Sequence, residues 1–285
     1  MMYWVRVPVI VRAVLVGFLV LVAGNFLPQG LYVANLRTAP SVPWSAALIA
    51  VWLWLYWQYI SGRWWPASTS DVRRRHLRAL PLTPQLWRWS MLAGGLAVAT
   101  IIALTYALSR LRPLGLGFPE QLRQLPPVTM VTLVVTISLM AGIVEEAAFR
   151  GYMQSPIERR HGPVIAIAIV SAFFALAHLT GEPVSTPRMA LIVIASIVYG
   201  FLARLSGSIL PGVVLHGVGD IVGFDLVWFA ARAPASQRST AGFGDPMFRL
   251  NVLVTVVLGV AAVWAFRGLG KAATAEREVH APPVR

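Results

Sequence analysis

Ionisable side chains interrupt long apolar runs at four places in this chain, and their types and spacing carry the chemistry. Gly142-Ile143-Val144 leads into Glu145-Glu146-Ala147-Ala148-Phe149-Arg150. Phe173-Phe174-Ala175-Leu176-Ala177 leads into His178, and Leu215-His216-Gly217-Val218-Gly219-Asp220 lies in an equally apolar stretch, with Asp225 a little further on. Charged groups within apolar helices are costly to bury and stand as functional hypotheses by default. On a helix, Glu146 and Arg150 are four apart, the ion-pair spacing with the acid on the N-terminal side. Glu145 is rotated by about 100° and lacks that partner. A buried carboxylate without a counter-charge has the makings of a general base. His216 and Asp220 share a face, so the acid can orient or charge the imidazole, or both can reach one ligand.

Each grouping taken singly has a simpler explanation. Glu146–Arg150 alone reads as a structural ion pair, and a lone His178 reads as a hydrogen bond to a neighbouring helix. Phe174 alone reads as packing, and Asp225 falls towards the end of its segment and is assigned no role. Three segments that together supply an acid, a histidine and a His-x-x-x-Asp pair are a different matter, and point to a site.

The elements that position these residues are membrane helices. Of 285 residues, 57% are hydrophobic and 12% charged, and the mean hydropathy is +0.69. A soluble domain carries about twice that charged fraction. Eight apolar segments are expected, near 9–27, 44–60, 87–108, 127–149, 163–181, 187–205, 208–230 and 249–267. Each is close to the length that crosses about 30 Å of hydrocarbon. The predicted fold is therefore all-α, a polytopic bundle of about eight transmembrane helices. Residues 1–270 would form one domain, and 271–285 a polar cytoplasmic tail, with disorder expected after Gly268.

Turns are expected at His161-Gly162-Pro163 and Ser206-Gly207-Ser208. Glu145 and His178 each lie about 16 residues from the first turn, at the same depth on antiparallel helices. This requires the fourth helix to run on past Arg150 to about Arg159 as a cytoplasmic projection. Asp220 and His216 lie about 12 and 8 residues beyond the second turn, so their height matches only to within a few helical turns.

The net charge is +13, from 24 Lys and Arg against 11 Asp and Glu. No soluble basic face or nucleic-acid module accompanies it, so the arginines read as topology signals facing anionic lipid rather than nucleic acid. Odd-numbered flanks hold 16 of the basic residues and even-numbered flanks 8, which predicts cytoplasmic termini. The first segment lacks a small-x-small cleavage site and is expected to be retained. The chain has no cysteine, which excludes disulfides and thiolate chemistry.

Glu145-Glu146-x-x-x-Arg150, Phe174-x-x-x-His178 and His216-x-x-x-Asp220, in this order, resemble the three motifs of the CPBP (Abi) family, which includes the type II CAAX prenyl endopeptidases. The likeness covers roughly residues 128–225. It implies an intramembrane endopeptidase in which Glu145 and His178 activate a water, His216 and residue 220 stabilise the oxyanion, and Glu146, Arg150 and Phe174 support them. The substrate would be a peptide or protein, prenylated for some members, met in a lipid membrane. Position 220 is often Asn in the family's eukaryotic-type members, and an ionised Asp220 cannot donate to an oxyanion. A divalent metal such as zinc, held by Glu145, His178, His216 and Asp220, is the alternative to a glutamate-activated water. No His-Glu-x-x-His run supports it, so the water without a tightly bound metal is favoured. The competing class is a proton-coupled transporter, or an interaction or immunity protein on a degenerate protease fold. Neither inverted repeats nor a lost motif residue is present. Arginine-rich, lysine-poor usage suggests a bacterial cytoplasmic membrane.

Overall fold

The eight apolar segments all fall on helices, because a chain too apolar to hydrate its backbone must satisfy its amide groups internally. The computed structural model describes residues 6–111, 125–179, 185–232 and 244–279. The helices are α1 (Val9–Thr38), α2 (Ser45–Ile60), a short α3 (Ser70–Leu77), α4 (Pro84–Leu111), α5 (Pro127–Glu145), a π-helix (Glu146–Gln154), α6 (Ser155–His161), α7 (Pro163–Ala177), α8 (Thr186–Ser206), α9 (Leu210–Arg232) and α10 (Pro246–Val279). Among the described residues, five apolar helices are long enough to cross a membrane: α1, α4, the continuous run Pro127–His161, α8 and α10. The apolar stretches Ser45–Ile60, Pro163–Ala177 and Leu210–Phe224 are shorter than 18 residues. The fold is an all-α membrane bundle, and the protein is integral to a membrane.

Both expected turns are present. Gly162 and Gly207 adopt φ of 85° and 74°, a region costly for residues with a Cβ. Pro163 and Pro127 open their helices, where the missing N–H costs nothing. The fourth segment does continue to His161, but it is no projection into solvent. Every residue from Glu146 to Gln154 is buried, overlaid by α1, α3 and α7.

The C-terminal segment departs from expectation. Instead of becoming disordered after Gly268, the chain continues as α10 to Val279. Leu269, Ala272 and Ala273 are buried and pack with Leu86 and Trp89 of α4, and Glu276 accepts a hydrogen bond from Thr83. An alanine-rich stretch has high helix propensity and needs only one apolar face to dock. Arg73 also differs from a solvated loop charge. It is 5% exposed, and its guanidinium donates to the carbonyls of Tyr59 (2.7 Å), Trp64 (2.6 Å) and Pro66 (2.8 Å).

α9 packs against α5 and α4, α8 against α7 and α4, and α10 along α4. The α5–α9 crossing is tight. A Cβ on Gly142 would stand 2.6 Å from the Val213 carbonyl oxygen and 2.9 Å from the Gly217 nitrogen, both backbone atoms. Gly142→Ala is therefore expected to destabilise by about 1–3 kcal/mol, as overpacking does elsewhere. A melting temperature in detergent equal to wild type would contradict this contact.

Candidate active site

The site is built around His216, one and a half turns into α9. Glu146, the first residue of the π-helix, is fully buried. Its Oε1 lies 3.0 Å from Arg150 Nη1 and accepts a hydrogen bond from His216 Nδ1, also at 3.0 Å. Gly212 makes room for this carboxylate: a Cβ there would come within 2.7 Å of Glu146 Oε2. The other imidazole nitrogen, Nε2, stands 3.6 Å from Asp220 Oδ2 and 3.8 Å from Glu145 Oε2. Three carboxylates thus surround one imidazole, with a single guanidinium among them.

Arg150 is 0% exposed. Its Nη2 donates to the Ser196 carbonyl and hydroxyl oxygens, both at 3.2 Å. The guanidinium carbon lies 4.6 Å from the Phe174 ring centre and 5.4 Å from that of Tyr199. Its charge is therefore held by one carboxylate, one peptide oxygen and two π faces. Tyr199 also stacks on His216, with centroids 4.9 Å apart and planes 12° from parallel. Imidazole rotation is blocked by this ring on its face and by Glu146 on its edge.

His178 caps the C-terminus of α7, the residue after Ala177. Its Nδ1 lies 2.8 Å from the Phe174 carbonyl oxygen. A carbonyl only accepts, so Nδ1 carries a proton, and in the neutral tautomer that this bond selects Nε2 is the bare nitrogen. The imidazole packs on the Phe174 ring, with ring centroids 4.6 Å apart. Glu145 and Asp220 form the accessible side of the cluster, with side chains 18% and 31% exposed against 0% for Glu146.

The residues expected from the sequence thus converge: Glu145, Glu146, His216 and Asp220 on one imidazole, with His178, Phe174 and Arg150 adjoining it. Two relationships differ from expectation. The group that orients His216 through Nδ1 is Glu146 rather than Asp220, and Glu146 is therefore more than the partner of Arg150. The chain changes to π-helical i→i+5 bonding at Glu146, and the carboxylates of Glu145 and Glu146 both reach His216 on α9. Asp225 lies on α9, with its side chain outside the described residues.

Tyr199 and Ser196 were not anticipated. The one sequence signal for Tyr199 is depth: it precedes the Gly207 turn by about as many residues as His216 follows it. Among the described residues no group of three or more His, Asp or Glu side chains is arranged to hold a metal ion.

Searches of the curated proteins and of the solved structures return no match. A family model, the Rce1-like type II CAAX prenyl endopeptidase, matches residues 127–222, which run from the first residue of α5 to just past Asp220. That stretch contains all three motifs and every side chain of the cluster just described, so the likeness of this chain to the Rce1-like type II CAAX prenyl endopeptidases falls on the site itself.

Proposed function

We propose that the protein is an endopeptidase that hydrolyses a peptide bond at or within the membrane, with Glu145 as the general base. The observation that carries this reading is Glu145 Oε2: buried, without a hydrogen-bond partner, and 3.8 Å from His216 Nε2. An unpartnered carboxylate oxygen beside a fixed imidazole is poised to take a proton from water.

In the proposed mechanism a water binds between Glu145 and the bare Nε2 of His178. Glu145 removes its proton as the oxygen attacks the scissile carbonyl. His216 holds Nδ1–H against Glu146 and turns Nε2–H towards the developing oxyanion. A donor fixed before the reaction begins is worth far more than one that must be reoriented. Asp220 acts through His216, favouring the imidazolium while itself donating nothing. Glu145 then delivers the proton to the departing amine, and the carboxylate is restored.

Cleavage of an internally quenched peptide in proteoliposomes tests the reading, using a prenylated peptide and its unprenylated twin. Hydrolysis of either, lost on removal of the Glu145 carboxylate, supports an endopeptidase; proton flux without cleavage would replace it with a transporter. Asp220→Asn is expected to retain substantial activity, because Asn can donate to the oxyanion directly. A loss in kcat as large as that of a Glu145 variant would show that the Asp220 charge is indispensable.

We place both termini in the cytoplasm, on the two-to-one excess of basic residues on that side. Reporter fusions after Gly268 and beside Arg75 should both read as cytoplasmic. An extracytoplasmic signal at either position would reverse the orientation.

A further inference from the structure

Beside the π-helix lies a cavity of about 350 Å³ between α1, α3 and α6. One wall is apolar, formed by Val9, Ala13 and Val16 on a single face of α1. The opposite wall and rim are basic: Arg12 from α1, Arg159 and Arg160 from α6, and His76 from α3. No acidic side chain among the described residues lines it. Arg159 Nη1 donates to Ser155 Oγ at 2.5 Å, which fixes its head group at the cavity. Neither Arg12 nor Arg160 has a carboxylate partner among the described residues. Burial, reinforced by the charges of Arg159 and Arg75, pushes the His76 imidazole down, so at neutral pH it is an uncharged hydrogen-bonding group facing cations.

Three guanidinium groups around one cavity repel each other; Glu158 lies near Arg159, but it is shared with Arg78 and Arg204. Guanidinium forks match phosphate oxygens in geometry and charge. Apolar residues in the first two turns of a membrane-spanning helix, below a basic rim at the bundle's end, match an acyl chain below its head group. We infer that this cavity binds a phosphate monoester or diester group, the head group of an anionic phospholipid, with Arg12, Arg159 and Arg160 as its ligands. The site also includes Tyr152 and Pro156, so it abuts the π-helix that carries Glu146 and Arg150. An occupant would brace α1, α3 and α6 around that element.

The test is thermal unfolding of the full-length protein, with lipid or phosphate as the variable. Wild type in phosphatidylcholine nanodiscs is compared with discs doped with phosphatidylglycerol, and in detergent with added inorganic phosphate or glycerol phosphate. At about ten times its Kd, a bound phosphate should raise the melting temperature by roughly 3–6 °C. Arg12→Gln combined with Arg160→Gln should leave the melting temperature in phosphatidylcholine near wild type but abolish most of the shift. The paired control, Arg63→Gln with Arg88→Gln, removes the same charge from exposed positions away from the cavity and should keep it. A shift from phosphatidylglycerol alone identifies a lipid, and one from inorganic phosphate or glycerol phosphate identifies a soluble phosphate; either supports the site. No shift with any phosphate, or equal shifts in both double variants, would overturn it.

Discussion

Glu145→Gln is expected to abolish peptide cleavage while leaving the protein folded and abundant. Glutamine keeps the size and hydrogen-bonding capacity of the side chain but cannot accept the water's proton. A positioned general base contributes about 10²–10⁴ in rate, and the loss should fall on kcat rather than KM. Stability should hardly change, because Glu145 Oε2 has no hydrogen-bond partner to lose and the side chain reaches the accessible side of the cluster. Steady-state kinetics and a melting curve on the same preparation check both halves. Near wild-type turnover would remove Glu145 from the mechanism and with it the case for a glutamate-activated water.

Glu146→Gln is expected to fail in the opposite way. Glu146 is fully buried and contacts two groups at once, Arg150 and His216, each at 3.0 Å. Removing one member of a buried ion pair leaves an uncompensated charge and costs about 3–5 kcal/mol. Arg150 would keep only Ser196 and the faces of Phe174 and Tyr199. The primary defect should be a large fall in melting temperature and detergent-solubilised yield. The surviving fraction should also turn over slowly, because His216 loses the acceptor that fixes its Nδ1–H. Exchanging the charges, Glu146→Arg with Arg150→Glu, separates these effects. The exchange restores an ion pair but puts a guanidinium against His216, so stability should recover in part and activity should not. Wild-type stability in Glu146→Gln would mean that the pair is not closed in the membrane.

Much of this arrangement was legible in one dimension. Apolar runs near the length of a span have little choice but to be helical in lipid, and Gly162 and Gly207 mark the turns that no β-carbon-bearing residue would occupy easily. From those turns, counting residues places Glu145 and His178 at one depth, and the His216-x-x-x-Asp220 spacing puts two groups on one face. Residue type and helical spacing together were enough to nominate His216 and six of the side chains grouped about it.

Tertiary structure decided what those side chains do to one another. Helical spacing gives a facing direction only if every residue turns by the same angle, and from Glu146 to Gln154 it does not. Packing in this stretch is close: a Cβ on Gly151 would stand 3.0 Å from the Leu77 carbonyl oxygen, and Tyr152 donates to the Ile60 carbonyl at 2.7 Å. Long-range contacts such as these surround the π-helical stretch, and no local pattern announces them. Tyr199 was invisible for a related reason. A tyrosine in an apolar helix has no distinguishing spacing, and its place against His216 and Arg150 exists only once α8 and α9 fold back about Gly207. Arg73 and Arg150 look alike in sequence, as basic residues near apolar segments. Only the packed bundle supplies the three carbonyls that cap the one, and the carboxylate and rings that enclose the other.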